Sequence, residues 1–268
     1  MTPGSRPPPI TVHDAGDPRL ADYRHLKDRD LSREGGRFIA ESERVVRRLV
    51  ASGLVVRSVL LTAARLASLA GDLVAVTAPI YVAPQELLNE VAGFHVHRGC
   101  LAVGERPASA SIPDAARTLV VLEDLVDADN LGASVRNAAA FGADALVLSP
   151  RCADPFYRKA IRVAIGATFT LPIVRLDAWP APLQDLRGRG FALAGAVVSA
   201  GAVPLAHVAR PPRVALLLGA EGPGLSAAAR AACDLLITIP MAPGADSLNV
   251  ATAGAVALFH LQQAVSSR

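Results

Sequence analysis

Short apolar runs alternate with helical patterns along most of this chain. In the second half, residues 119–122, 145–148 and 214–218 form runs with the length of buried strands. A helical pattern follows each of the first two runs, at about residues 132–141 and 154–164. This alternation predicts an α/β fold, with a mostly parallel sheet that carries helices on both faces.

The first half shows the same alternation on a smaller scale. The pattern predicts strands at residues 38–40, 55–61, 73–76 and 100–103, and helices from about residue 41, at 63–70 and at 84–91. We therefore expect a small α/β domain at residues 19–106 and a larger one at 118–268. Residues 107–117 resemble a linker, and residues 1–18, rich in Pro and Gly without periodicity, are predicted to be a flexible tail.

The composition of the chain limits what its core can be built from and suggests what it can bind. Hydrophobic residues make up 51% of the chain and aromatic residues only 4%, so the core must be built mainly from Ala, Val and Leu. Formal net charge is +3, and the basic residues are Arg apart from Lys27 and Lys159. Arg makes bidentate contacts with phosphates, although a GC-rich coding sequence would produce the same bias.

The cysteines and the apolar runs bear on the compartment. Cys100, Cys152 and Cys233 are far apart and form no CxxC pair, which argues against a disulfide framework and a structural zinc site. No apolar run approaches the length of a transmembrane helix. We expect a cytoplasmic protein without a membrane segment.

Two polar loops follow apolar runs and predict the site. Residues 218–222 and 239–241 would both lie at the carboxyl ends of strands, where open α/β sheets bind ligands. Ser247 and Asn249 precede the last helical pattern. The glycine cluster at 219–224 has the wrong spacing for a dinucleotide loop or an ATP phosphate loop, so an ordinary nucleotide site is disfavoured.

Three blocks together resemble a known family. They are NLGASVR at 130–136, LGAEGPGL at 218–225, and IPM at 239–241 with SLNVA at 247–251. In order and spacing they are similar to the motifs of the SpoU (TrmH-like) branch of the SPOUT RNA methyltransferases. Residues 154–172 resemble the segment between the first two motifs. The N-terminal domain resembles a substrate-binding domain related to a ribosomal RNA-binding protein.

This resemblance implies a fold and a reaction. In that family the C-terminal chain is threaded into a deep trefoil knot, an exceptional topology. The family binds S-adenosylmethionine inside the knot, works as a homodimer and methylates the ribose 2′-hydroxyl of rRNA or tRNA. For this chain we expect rRNA rather than tRNA, with no metal.

Residues are carried over one by one. The matched cofactor positions are Ala196, Leu218, Gly219, Ile239, Met241 and Leu248. The matched catalytic positions are Asn130, Arg136, Glu221, Ser247 and Asn249. The chain departs from the family in two places, with Ser42 where Gly is common after Glu41, and Ala251 where Ser is common.

The chemistry of methyl transfer suggests a role for each polar position. Because an arginine side chain stays protonated in proteins, Arg136 is a poor base. We expect it to hold a phosphate or the ribose oxygen and to stabilise developing alkoxide charge. Asn130, Ser247 and Asn249 would orient the ribose and the arginine, while Glu221 would hold the guanidinium or a helix N-terminus.

Each of these residues also has a structural interpretation. Arg136 could be a salt-bridge partner, and Glu221 could close its own loop. Ser247 could be only an N-cap and Asn249 only a first-turn residue, although capping and catalysis can coexist.

The remaining candidates concern RNA and metal binding. Arg158, Lys159 and Arg162 share one short helical pattern and could track an RNA backbone or form a solvated face. His95 and His97 alternate on a short segment, but no third ligand lies nearby, so metal binding is disfavoured.

Two other functions compete with the methyltransferase. An RNA-binding protein of the same fold that has lost catalysis would carry a degenerate last motif, whereas SLNVA is nearly whole. An enzyme that uses another nucleotide in the same fold is the weaker alternative.

Overall fold

A computed structural model describes residues 8–26 and 36–266 of the chain, with the side chains of residues 97 and 263–266 left out. The chain divides into two compact units. The first unit contains Met1–Ala108 and Phe156–Thr170, and the second contains Ser109–Pro155 and Leu171–Arg268. Sequence patterning predicted a single change of domain at residues 107–117, so the grouping of Phe156–Thr170 differs from that expectation.

The elements are named in chain order. The strands are β1 (Ile10–Thr11), β2 (Arg37–Glu41), β3 (Val56–Leu61), β4 (Ile80–Val82), β5 (Cys100–Glu105), β6 (Thr118–Leu122), β7 (Ala145–Leu148), β8 (Ile173–Arg175), β9 (Ala192–Ala196), β10 (Val203–Pro204), β11 (Val214–Leu218) and β12 (Leu235–Thr238). The α-helices are α1 (Glu43–Ala51), α2 (Ala63–Ser68), α3 (Gln85–Ala92), α4 (Ala128–Ala140), α5 (Arg158–Val163), α6 (Leu183–Gly188), α7 (Ala227–Ala232) and α8 (Val250–Ser266). Short 3₁₀ helices cover Pro18–Tyr23, Asp72–Ala75, His97–Gly99, Ala167–Phe169 and Leu205–His207.

The first unit is built on a mixed sheet with the order β1-β4-β3-β5-β2. β5 is antiparallel to both β2 and β3, while β4 is parallel to β3 and β1. Successive residues of a strand point to opposite faces, so Phe38 and Ile39 enter different hydrophobic clusters. Both faces of this sheet are therefore covered.

Phe156–Thr170 completes the core of the first unit. The ring of Phe38 lies 5.3 Å from that of Phe156 and 5.2 Å from that of Phe169, centroid to centroid. Beside these rings, the Arg158 guanidinium donates to the Glu41 carboxylate at 2.5 Å, and Glu41 is 2% exposed. Removing either member of a buried pair leaves an uncompensated charge, so this contact fastens the segment to β2.

The second unit is built on a seven-stranded sheet with the order β10-β12-β9-β11-β6-β7-β8, and each of its pairings is parallel. Helices α6 and α7 contribute Leu183, Leu186 and Ala229 to the core on one face. On the other face α8 crosses β11, where Leu218 lies against Gly254. The predicted α/β fold with a mostly parallel sheet is confirmed.

Three local predictions differ from the structure. The prediction of a flexible tail is wrong at Ile10–Thr11, which pairs with β4. Nothing in the sequence indicated this strand, because two residues are too few to show an alternating pattern. The predicted strand at 73–76 is a 3₁₀ helix at Asp72–Ala75 with one buried residue, Leu73. The strand in this part of the chain is β4, which begins a few residues later. Helix α4 begins a turn earlier than expected, because the Asp127 side chain accepts from the Asn130 amide and caps it.

Ser42 occupies a backbone conformation that favours glycine. Its φ is 86° and its ψ is 151°, a region that is almost restricted to glycine. The surrounding structure holds it there, since its amide donates to Cys100 and its carbonyl accepts from Val46, each at 3.0 Å. Glycine adopts such a φ without strain, so a Gly would fit this position better than Ser.

Replacing Ser42 by glycine should stabilise the protein. We expect Ser42→Gly to raise the free energy of unfolding by about 1 kcal/mol, because the relief of strain exceeds the added entropy of the unfolded chain. Urea unfolding measures this. Ser52→Gly is the matched control, because Ser52 has a φ of −78° and should lose stability. A less stable Ser42→Gly would contradict the strain argument.

Candidate active site

A pocket of about 380 Å³ lies in the second unit at the carboxyl ends of β9, β11 and β12. This is the edge where parallel sheets place ligands, and the volume is that of a small-molecule site. All six predicted cofactor positions line it, namely Ala196, Leu218, Gly219, Ile239, Met241 and Leu248. The structure thus brings three separate loops of the chain to one cavity.

The loop after β11 folds back on itself. Gly224 donates its amide to the Ala220 carbonyl at 2.9 Å, and Gly222 and Gly224 have φ values of 80° and 69°. A Cβ at Gly219 would lie 2.1 Å from the Gly224 carbonyl carbon and the Leu225 nitrogen. Backbone atoms leave no room there, so Gly219 is required for this wall of the pocket.

A buried glutamate holds the far end of this loop. Glu123, directly after β6, is 2% exposed. Its carboxylate accepts the Ser226 amide at 2.8 Å and the indole N–H of Trp179, while its own amide donates to the Leu218 carbonyl at 2.9 Å. Sequence reasoning missed this residue. The available signal was an acid placed immediately after a fully apolar strand.

Three of the predicted catalytic residues form one hydrogen-bonded chain. Oδ1 of Asn249 accepts the amides of Ala251 at 3.0 Å and Thr252 at 3.2 Å, so Asn249 caps α8. Its Nδ2 therefore faces Asn130 and donates to Oδ1 at 2.7 Å. Asn130 in turn donates through Nδ2 to Glu221. Capping and membership in the polar chain coexist in Asn249.

Ser247 and Arg136 do not belong to this hydrogen-bonded chain. Ser247 lines the pocket and makes no hydrogen bond within residues 8–26 and 36–266, so it is not the helix cap. Arg136 lies on α4, about 120° around the helix from Asn130, and its side chain is exposed. It does not line the pocket, and in the part of the chain that is described it forms no hydrogen bond or ion pair. The structure does not bring Arg136 to the other four residues.

The predicted RNA-contacting residues lie on α5 in the first unit. Arg158 is 13% exposed, paired with Glu41, and its guanidinium lies 4.3 Å above the ring of Phe94. The alternative of a solvated face is therefore wrong for Arg158. Lys159 is half-buried and Arg162 exposed, and their contact with RNA stays a prediction.

The described residues also bear on metal binding, membrane insertion and thiol reactivity. Over residues 8–26 and 36–266, three His, Cys, Asp or Glu side chains nowhere converge as a metal site would require. None of the helices described is both long and apolar enough to cross a bilayer. Burial raises the pKa of Cys100 to about 12 and that of Cys233 to about 11, so both thiols stay protonated at neutral pH.

Comparison with known proteins decides the family. Residues 117–259 match the model of the SpoU rRNA Methylase family. An uncharacterized tRNA/rRNA methyltransferase of Mycobacterium tuberculosis is 43% identical over 258 residues, which cover 92% of this chain and 90% of the relative. This chain belongs to the SpoU rRNA methylase family.

Other SpoU relatives are similar over nearly their whole length. The 23S rRNA (guanosine(2553)-2′-O)-methyltransferase RlmP of Bacillus subtilis is 29% identical, with 94% of this chain and 98% of RlmP covered. The SpoU methyltransferase AviRb of Streptomyces viridochromogenes, solved in complex with the cofactor AdoMet, has a TM-score of 0.81 at 26% identity. That match covers 94% of this chain and all of AviRb, 100%.

Two variants of Asn249 separate its cap from its polar contact. Asn249→Ala removes the acceptor for Ala251 and Thr252, so the free energy of unfolding should fall by about 1 kcal/mol. Asn249→Asp keeps the acceptor and suits the helix N-terminus, so it should keep most of the stability while losing the donor to Asn130. Urea unfolding of both variants is the measurement. Equal losses would show that the cap is not what Asn249 contributes to stability.

Proposed function

We propose that this protein transfers a methyl group from S-adenosylmethionine to a ribose 2′-hydroxyl of structured RNA, with rRNA as the substrate. The observation that carries the proposal is the pocket, whose rim includes Glu221, Ser247 and Asn249 and whose lining holds every cofactor position expected from the motifs. The 2′-O-methylation for which RlmP is named and the cofactor bound to AviRb support the same reaction. The intact Asn130–Glu221–Asn249 chain argues against a protein without catalysis.

The pocket has the chemistry that this cofactor requires. Ala196, Leu218 and Ile239 supply apolar walls for a nucleoside. Ser247 and Leu248 form no hydrogen bond to the part of the protein that is described, so their polar groups are available to a ligand. When bound, S-adenosylmethionine supplies a methyl group on a sulfonium, which needs neither a metal nor a covalent enzyme intermediate.

The polar residues would position the acceptor ribose. Glu221 holds the Asn130 amide, and Asn130 holds that of Asn249, so neither asparagine is free to rotate. Ser247 and Asn249 can then bind ribose oxygens at the pocket rim. Such preorganisation lowers the entropic cost of aligning the hydroxyl with the methyl group.

Arg136 would act on the RNA rather than on the cofactor. Its guanidinium is exposed and has no partner among the residues described, so it is available for a phosphate or for the ribose oxygen. A cation at that place stabilises charge that develops on the oxygen as its proton leaves. A guanidinium that stays protonated can stabilise this charge but cannot accept the proton.

We extend the proposal to topology and assembly. A deep trefoil knot is supported by the path from β12, which lies outside β9, back across the sheet to α8. A homodimer is supported by the exposed Val256 and Phe259 on α8, beside α4, where the Phe141 and Phe259 rings are 6.2 Å apart. Cytoplasmic location follows from an rRNA substrate.

The first unit would bind the RNA substrate. The match to the family model begins at residue 117, whereas the match to the mycobacterial relative covers 92% of the chain. The match to this relative therefore extends beyond the family model and into the first unit of the chain. We propose that the first unit, in which Phe156–Thr170 joins the predicted domain at residues 19–106, is a small RNA-binding domain, and that the second unit is the methyltransferase domain.

Calorimetric titration tests the cofactor. S-adenosylmethionine and S-adenosylhomocysteine should bind with saturation, whereas NAD and ATP should not. Gly219→Ala should abolish binding, because its Cβ would displace the Gly224–Leu225 backbone. Gly201→Ala is the matched control, with open space at its Cβ. Absence of binding to the folded wild-type protein would overturn the proposed cofactor.

Arg136→Ala tests the catalytic step. We expect at least a hundredfold loss of methyl transfer to ribosomal RNA, on the order of the loss on removing one charge-stabilising donor. The affinity for S-adenosylhomocysteine should be unchanged, since Arg136 does not line the pocket. Mapping 2′-O-methylation in RNA from cells with and without the gene identifies the nucleotide. Parallel loss of cofactor affinity would refute the assigned role.

A further inference from the structure

Among residues 8–26 and 36–266, one cation, Arg230, lines the candidate cofactor pocket. Of the residues that form its wall, Glu221 and Arg230 alone are ionisable, one of each sign. Neither the sequence motifs nor the comparisons assign a role to Arg230. Its charge therefore needs an explanation in a cavity whose wall, apart from Glu221, is built from apolar and uncharged polar residues.

Arg230 is mounted on a short, well-fixed helix. The Ser226 hydroxyl accepts the Ala229 amide at 3.1 Å and caps α7, and the Ser226 amide is held by the buried Glu123 carboxylate at 2.8 Å. Ala229 is fully buried, at 0% exposed, and packs the helix onto the sheet. The backbone of Arg230 is thus fixed at the cavity wall.

The guanidinium of Arg230 has no protein partner within the described ranges 8–26 and 36–266, and it is exposed. Glu221, by contrast, already accepts from Asn130. An unpaired guanidinium beside a cavity is suited to an anionic ligand group, because its donors match a carboxylate in a bidentate way.

We propose that Arg230 binds the carboxylate of the methionyl part of S-adenosylmethionine. This inference rests on the proposed function. The cofactor carries a sulfonium, an ammonium and one carboxylate, and Arg230 is the cation in the pocket wall that can pair with that carboxylate. The contact would fix the amino-acid end of the cofactor while the apolar walls hold the nucleoside. An RNA phosphate is the competing partner.

Two ligands distinguish the carboxylate from the nucleoside. S-adenosylhomocysteine contains the carboxylate, whereas 5′-methylthioadenosine keeps the adenosine and the thioether but lacks the amino-acid end. In Arg230→Gln, the Kd for S-adenosylhomocysteine should rise about tenfold, the size of a charge-assisted hydrogen bond. The Kd for 5′-methylthioadenosine should stay within about twofold of the wild-type value, because this ligand has no carboxylate for Arg230 to contact.

Arg44→Gln is the matched control, because Arg44 is also an exposed helical arginine without a partner in the described chain, but it lies in the first unit. It should leave both dissociation constants unchanged. Equal weakening of both ligands by Arg230→Gln, or no weakening of either, would overturn the inference. So would unchanged cofactor affinity with a raised KM for RNA, which would assign Arg230 to a phosphate. If the wild-type protein bound neither ligand, the proposed cofactor itself would fail.

Discussion

The close approach of the backbone at Gly219 is the constraint on which the candidate site depends. The loop that leaves β11 turns back so tightly that Gly219 faces the Gly224–Leu225 peptide with no room for a side chain. That turn forms one wall of the pocket and carries Glu221, which anchors the two asparagines. The buried carboxylate of Glu123 fixes the other end of the loop at Ser226. Backbone packing and one buried charge thus set the geometry before any ligand is present.

Much of the second unit could be predicted because its strands are buried on both faces. Runs such as Val214–Leu218 are apolar at every position, with each residue buried, and they stand out from their surroundings. Prediction was weaker in the first unit, where β1 and β4 have only two and three residues. The apolar run at 73–76 resembles a strand, yet it buries only Leu73 in its helical part, because the sheet takes up Ile80–Val82 instead. Pairing partners, which a sequence does not display, decide between such runs.

The candidate site was predicted only in part, because the sequence shows local backbone shape but not contacts between distant residues. Glycines, prolines and polar residues at strand ends identified the pocket-lining loops, since backbone shape is encoded locally. Pairs of residues that lie far apart in the chain could not be predicted from the local sequence. Arg158 is separated by 117 positions from the carboxylate that neutralises it, so its residue type suggested RNA rather than an internal pair. Glu123 and Arg230 were overlooked because neither belongs to a recognisable motif.

The discontinuous composition of the first unit has a consequence for dissecting the molecule. The face of its sheet around Phe38 is covered by Phe156 and Phe169, which reach it only after the chain has passed through β6, α4 and β7. A fragment that stops at the end of β5 would lack this cover and would expose aromatic surface together with the Glu41 charge. The core on this face is complete only when chain from both sides of residue 118 is present. During synthesis, the first unit must therefore wait for a segment translated some fifty residues later, on the order of seconds at ordinary elongation rates.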